Sequence, residues 1–161
     1  MGQNKKTWTK LSISEDLIRV GFMIKIMIVD DDIIVRKGIS GILENIIGVS
    51  VVAEAESGEE ALTLARGQAL DIVFVDIQMP GIGGYETMQR LLHHYPKLKV
   101  VVLSVFSSGL YPRRFLSSGA SGYLTKGASS DELEKAIKKI HAGGGIYYAA
   151  SSTGYHHVRL R

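Results

Sequence analysis

Asp71-Ile-Val-Phe-Val-Asp76-Ile-Gln-Met-Pro80-Gly81 decides the fold of this chain. An apolar run stops on a carboxylate and gives way at once to turn residues, as a strand buried on both faces does when it reaches the edge of a sheet. A second stretch, Ile24-Lys-Ile-Met-Ile-Val-Asp30-Asp31-Asp32, ends in the same way. In an open parallel sheet the carboxyl ends of the strands share one edge, so neighbouring strands of this type bring Asp30, Asp31 and Asp76 together. Clustered carboxylates repel one another unless a cation lies among them. An oxygen-only donor set suits a hard divalent ion, and Mg2+, which keeps several waters and recruits phosphate, fits best.

The remaining elements follow from period and punctuation. Residues 33–47 recur at helical spacing through Ile34, Ile39, Ile42, Leu43 and Ile46 and stop at Gly48. A strand is expected over 49–54. A helix opened by Ser57 and the early acids Glu59 and Glu60 runs towards Gly67. After the strand 72–75, Met79-Pro80-Gly81-Ile82-Gly83-Gly84 reads as a flexible loop beside Asp76, and a helix over 85–95 ends before Pro96. A strand over 100–105, a short helix over 110–118, a short strand at Tyr123-Leu124 and a helix over 130–142 capped by Ser130 complete the series. Strands alternating with helices across short loops predict an α/β domain, doubly wound, with a five-stranded parallel sheet flanked by five helices.

Composition narrows the class. The chain has 161 residues, no cysteine and a formal charge of +3. That length suits one well-buried domain with extra segments. Disulfides and thiolate chemistry are excluded, and the charge is too small to be a nucleic-acid footprint. No apolar run approaches the ~18 residues of a membrane span. Thr7-Trp8-Thr9-Lys10 interrupts any secretory core, and Lys6 stands where a myristoylation motif wants Ser or Thr. A cytoplasmic protein is expected. Residues 1–22 read as an N-terminal extension in which Ser12 and Glu15 fit the capping box of a short helix. The domain is expected over 23–148, with 149–161 a truncated or flexible tail and an output domain absent.

Val29-Asp30-Asp31, Asp76 within its strand, Leu103-Ser104 and Gly122-Tyr-Leu-Thr-Lys126-Gly arrive in an order that resembles the receiver domain of two-component response regulators, a flavodoxin-like fold. Val35-Arg36-Lys-Gly38-Ile39, Met79-Pro-Gly-Ile-Gly-Gly84 and Tyr123-Leu-Thr-Lys-Gly-Ala128 are similar to the NarL/FixJ class, and within it to GacA-like regulators. The resemblance implies that Asp76 accepts a phosphoryl group from a sensor histidine kinase or phosphotransfer protein. It implies Mg2+ held by Asp30, Asp31, Asp76 and the backbone carbonyl of Gln78, with Lys126 and Ser104 stabilising the phosphoryl oxygens. Ser104 and Tyr123 would then be the switch pair, remodelling a face that pairs receivers into a phosphorylation-dependent homodimer. Transcription would be controlled through a helix-turn-helix output domain, this fragment binding no DNA specifically and no membrane.

Each residue has a plainer reading. Lys126 alone would be a solvated lysine, Ser104 a satisfied strand-end hydroxyl, Tyr123 a core aromatic and Asp32 a solubilising acid. His93 and His94, adjacent on a helix, point ~100° apart and do not chelate together. Two other functions share parts of the pattern. A haloacid-dehalogenase-like phosphatase needs a second acid where Gln78 stands, and the acids would repel a flavin phosphate in a flavodoxin-like cofactor binder. Gly127 follows Lys126 where many receivers have proline, so a trans bond and a more mobile loop are expected.

Overall fold

The computed structural model describes residues 23–105, 110–144, 147–149 and 155–156. The readings made for residues 1–22 and most of 149–161 lie outside them. The described elements run β1 (Ile24–Val29), α1 (Ile33–Glu44), β2 (Val49–Ala55), α2 (Gly58–Ala65), β3 (Ile72–Asp76), α3 (Gly83–His94), β4 (Lys99–Ser104), α4 (Leu110–Ser117), β5 (Gly122–Thr125) and α5 (Ser130–His141), followed by β6 (Tyr147–Ala149) and β7 (Tyr155–His156). The sheet order is β2-β1-β3-β4-β5-β6-β7. The first five strands are mutually parallel, as expected. Two short strands extend the sheet beyond that expectation: β6 joins β5 in parallel and β7 returns antiparallel. Backbone pairing needs no hydrophobic period, so side-chain pattern gave no sign of them.

Successive side chains on a strand point to opposite faces, and here each face has its own core. Ile26, Ile28, Ile72, Phe74, Val101, Leu103 and Leu124 pack with Ile39 and Leu43 of α1 and with Leu133, Ile137 and Ile140 of α5. Met27, Val29, Val73, Val75, Val100, Val102 and Tyr123 pack on the other face with Met88 and Leu91 of α3 and Phe115 of α4. Phe74 is fully buried. Removing its ring would cost about 3–5 kcal/mol through lost burial and the cavity left behind.

The pairing of β1 with β2 slips by one residue. Ile26 faces Val51 but Met27 faces Ala53, so Val52 is an extra residue in β2. A bulge of this kind exchanges the faces of all residues beyond it. Glu54 is thereby paired with Ile28 and shares the α1 side of the sheet.

Two boundaries differ from the sequence reading for local reasons. Helix α5 is capped by Ser129 rather than Ser130. The Ser129 hydroxyl accepts from Glu132 N at 3.2 Å and the Glu132 carboxylate accepts from Ser129 N at 3.1 Å, a reciprocal pairing that only the three-residue spacing allows. Helix α3 begins at Gly83, inside the glycine-rich stretch, rather than at Tyr85. That stretch is tied down: Glu59 of α2 accepts from Ile82 N at 3.0 Å, and Gly81 adopts φ +78° beneath the same carboxylate. No described peptide bond is cis, Lys126–Gly127 included.

Gly84 has a packing role that sequence reading missed. A Cβ there would overlap the carbonyl oxygen of Asp76 and lie 2.9 Å from Ile77 Cα, so only glycine lets α3 start against the end of β3. Alanine gains up to about 1 kcal/mol in helix propensity, whereas overpacking against backbone costs about 1–3 kcal/mol. Gly84→Ala is therefore expected to lower the denaturant midpoint of unfolding, the packing cost exceeding the propensity gain. An unchanged or raised midpoint would show that α3 can shift away from Asp76 without penalty.

Candidate phosphoacceptor site

Sheet register assembles the site. Val29 pairs with Val75, so the next residues, Asp30 and Asp76, leave adjacent strands side by side. Asp76 pairs with Leu103, Ser104 pairs with Thr125, and Ser104 and Lys126 are each one residue further along. Lys126 N donates to Ser104 O at 2.8 Å, which continues the pairing past the end of β5. Asp31, Asp32, Asp76, Ile77, Gln78, Ser104, Val105 and Lys126 line a cleft of about 200 Å³. A larger cleft of about 650 Å³ lies at the opposite edge of the sheet around Asp71, His94 and Tyr95, away from the carboxylate cluster. His93 and His94 are exposed.

Asp30, Asp31 and Asp76 can each present an oxygen within 4.8 Å of the others. Asp30 is fully buried, Asp76 nearly so, and Asp31 is exposed. Lys126 Nζ lies between the two buried acids, 2.9 Å from Asp30 Oδ2 and 3.1 Å from Asp76 Oδ2. Asp30 Oδ1 accepts from Asp32 N at 2.8 Å, and Asp76 Oδ1 accepts from Gln78 N at 3.3 Å. Asp32 has a different task from its neighbours. It caps α1, its Oδ1 accepting from Ile34 N at 2.8 Å and Val35 N at 3.3 Å. The sequence held that signal, since an acid directly before an apolar helical run is a capping position.

Charge in the cluster is unbalanced, three carboxylates against the Lys126 ammonium. Burial pushes the Asp76 carboxyl above the ordinary carboxylate range, and the negative charge of Asp30 adds to that; the bond and charge of Lys126 and the Gln78 N–H pull it back only in part. For Lys126, burial alone would favour the neutral amine, but pairing with Asp30 and Asp76 more than offsets it and the ammonium is held above its usual range. The residues fit a divalent cation. Asp30 Oδ2 is buried and has no hydrogen-bond partner beyond the Lys126 ammonium paired with it, so it can offer a further lone pair beside two more carboxylates. Such an all-oxygen set selects a hard ion over a soft one.

Ser104 is 2% exposed at the cleft wall. Tyr123 is fully buried in the core shared with α3 and α4. The C-terminal end of α4 is fastened to α3 nearby: the Tyr85 and Ser118 hydroxyls lie 2.9 Å apart, Gln89 donates to Ser118 O at 3.0 Å, and the Arg114 guanidinium sits 4.3 Å above the Tyr85 ring.

Residues 26–138 match the response regulator receiver domain family. Response regulator GacA of Pseudomonas aeruginosa is 46% identical over 121 residues, which are 75% of this chain and 56% of that protein. Response regulator UvrY of Escherichia coli strain K12 is 40% identical over 121 residues, with the same shares. The chain spans about half the length of these curated relatives. Among solved structures, a LuxR-family two-component response regulator from Aurantimonas sp. SI85-9A1 superposes with a TM-score of 0.73 at 33% identity, over 80% of this chain and 91% of that one. The isolated REC domain of RcsB from Salmonella enterica serovar Typhimurium, determined with the phosphomimetic BeF3-, superposes at 0.70 with 26% identity, over 75% and 90%. RcsB has also been seen as two dimers bound to two parallel DNAs, superposing at 0.70 with 26% identity over 75% and 61%. Motif order, sheet order and relatives agree, and this chain belongs to the receiver-domain family of two-component response regulators.

Proposed function

We propose that Asp76 is the phosphoacceptor, taking a phosphoryl group from the phosphohistidine of a sensor histidine kinase or phosphotransfer protein in a Mg2+-dependent reaction. One observation carries this reading: Lys126 Nζ stands within 3.1 Å of both Asp30 and Asp76 at the floor of a polar cleft, so the acceptor oxygen lies beside a fixed cation. An Asp76 carboxylate oxygen attacks phosphorus, forming the O–P bond as the N–P bond to the imidazole breaks. The bond electrons remain on that nitrogen. A carboxylate is a weak nucleophile, so positioning and charge stabilisation do most of the work. Lys126 offers a point charge to one phosphoryl oxygen and Ser104 a hydroxyl to another. Asp30, Asp31, Asp76 and the Gln78 carbonyl would hold Mg2+, which supplies charge neutralisation on the phosphoryl oxygens when bound.

The signal is read as a conformational preference. A phosphoryl group bonded by Ser104 and Lys126 in one state more than in another shifts the balance towards that state, and Tyr123, packed under α4, is the residue whose core position the shift alters. The resulting face pairs receivers into a homodimer. By analogy with RcsB, whose dimers are seen on DNA, the output is transcription control, with DNA read outside these residues in the remainder of a longer, cytoplasmic protein. No described helix is long and apolar enough to cross a membrane. The receiver assignment sets aside the phosphatase and the flavin-binding readings.

Asp76→Asn is expected to remain at the unlabelled mass in acetyl phosphate and Mg2+ while the wild type gains one phosphoryl group; full labelling of the variant would remove Asp76 as acceptor. The same variant reports on charge. Because the Asp76 pKa is raised in the folded chain, the unfolded chain ionises first as pH rises past the ordinary 3.8, and stability falls until the folded carboxyl ionises too. In EDTA at pH 7 Asp76→Asn should therefore melt above the wild type, with the gap narrowing towards pH 4, and Mg2+ should raise the wild-type midpoint more than the variant's. A variant that melts lower throughout would show that Asp76 stabilises the apo fold. Lys126→Ala should slow labelling by about 100-fold while leaving Mg2+ affinity equal or tighter, because one competing cation is gone. Parallel loss of labelling and of Mg2+ affinity would mean that Lys126 maintains the geometry of the acids instead.

A further inference from the structure

Arg36 is a nearly buried cation that the proposed chemistry does not use. Its Nη1 donates to the backbone carbonyl of Asp30 at 2.6 Å, from the helix that follows the acid cluster. Its Nε lies 3.5 Å from Glu54 Oε1, and the other oxygen of Glu54 accepts from Lys37 Nζ at 3.0 Å. Glu54 reaches this place because the extra residue Val52 turns the end of β2 over; unshifted, Glu54 would face the α2 side of the sheet. Glu54 Oε1 is buried without a hydrogen bond, so the Arg36 charge is its compensation there. The two ends of Asp30's backbone are thus fixed from different elements: its N–H donates to Ala55 O at 3.0 Å and its carbonyl accepts from Arg36.

We propose that Arg36, oriented by Glu54, is a positioning residue for the metal and phosphoryl site, setting the Asp30 peptide and through it the direction of the Asp30 and Asp31 carboxylates. The orientation of the Asp30–Asp31 peptide, whose carbonyl Arg36 holds, sets where the Asp32 N–H lies, and that N–H, bonded to Asp30 Oδ1, turns the carboxylate and with it Oδ2. A guanidinium suits the task because its fork serves a carbonyl and a carboxylate together. A lysine ammonium at the same place is a point charge that meets one partner well and the other poorly. The proposal rests on the reading of Asp76 as a Mg2+-dependent acceptor.

The test uses wild type, Arg36→Ala, Arg36→Lys, Glu54→Gln and the Arg36→Ala/Glu54→Gln double variant. Mg2+ affinity is measured by calorimetry well below each unfolding midpoint, and the rate of acetyl phosphate labelling by intact mass. Loss of an outer residue that orients a ligand lowers metal affinity by about 10–100-fold. Arg36→Ala is expected at or beyond tenfold, with slower labelling, Arg36→Lys between it and wild type, and Glu54→Gln weakened less. The double variant should bind Mg2+ no worse than Arg36→Ala, since Glu54 acts through Arg36. Folded variants with wild-type affinity and rate would overturn the proposal, as would additive losses in the double variant. Should Arg36→Ala fail to fold, Arg36→Lys and Glu54→Gln decide by the same criterion. A wild type that neither binds Mg2+ nor is labelled would overturn the acceptor reading and this proposal together, whereas an active wild type matched by its variants defeats this proposal alone.

Discussion

Like charge held at close range governs this structure. Asp30 and Asp76 leave neighbouring strands at the same height, both are buried, and Asp31 adds a third carboxylate at the rim. In water such a group would separate; here the sheet ladder forbids it. Lys126 relieves part of the repulsion, and its own position is set by the pairing of β4 with β5. Everything around the cleft serves to keep the charges where they would not choose to stay: Asp32 N on one oxygen, Gln78 N on another, Arg36 on the peptide beneath. Under the proposed function, an incoming cation or phosphoryl group would meet a site already organised, which is the condition under which electrostatic stabilisation is strongest.

The two cores explain how an event at one edge can reach the body of the domain. Alternate residues of β3 contribute to opposite layers, Phe74 to the α1 and α5 side and Val75 to the α2, α3 and α4 side. Asp76 is the next residue, and Gly84 brings α3 against its carbonyl. Any displacement of the Asp76 backbone is felt at the start of α3, whose side chains Tyr85 and Gln89 hold the end of α4.

Strand-end acids, the central strands and the helical periods were legible in the sequence because each is written in side-chain chemistry at short range. Asp30, Asp31 and Asp76 were placed together by their strand ends and Ser104 and Lys126 by the resemblance to receivers, while the expectation for Gln78 concerned its carbonyl, and the bond seen there is its N–H donating to the Asp76 carboxylate. The structure adds a core position for Tyr123 that suits either packing or switching. Less legible were features that depend on partners far along the chain. Asp32 was read as a solubiliser although its place before Ile33 marks a cap. Ser129 and Ser130 are equivalent until the spacing to Glu132 is counted. The necessity of Gly84 comes from Asp76, Arg36 from Glu54, and the added strands β6 and β7 from backbone hydrogen bonding, none of which leaves a periodic trace.

The extra residue in β2 makes position 52 a spacer that takes no partner in the pairing with β1. Leaving it out of the pairing sets which side of the sheet every later residue of that strand occupies, a reading frame for Ala53, Glu54 and Ala55. Losing Val52 would leave that frame intact, since Val51, Ala53 and Glu54 would follow one another opposite Ile26, Met27 and Ile28, whereas drawing Val52 into the ladder opposite Met27 would send the Glu54 carboxylate into an apolar layer and bring the Ala53 methyl group to the Arg36 side. Descendants of this sequence are thus free to vary Val52 or to lose it, provided that the residues after it keep their partners, a tolerance that substitution surveys of the strand would pass over and that length variation would expose.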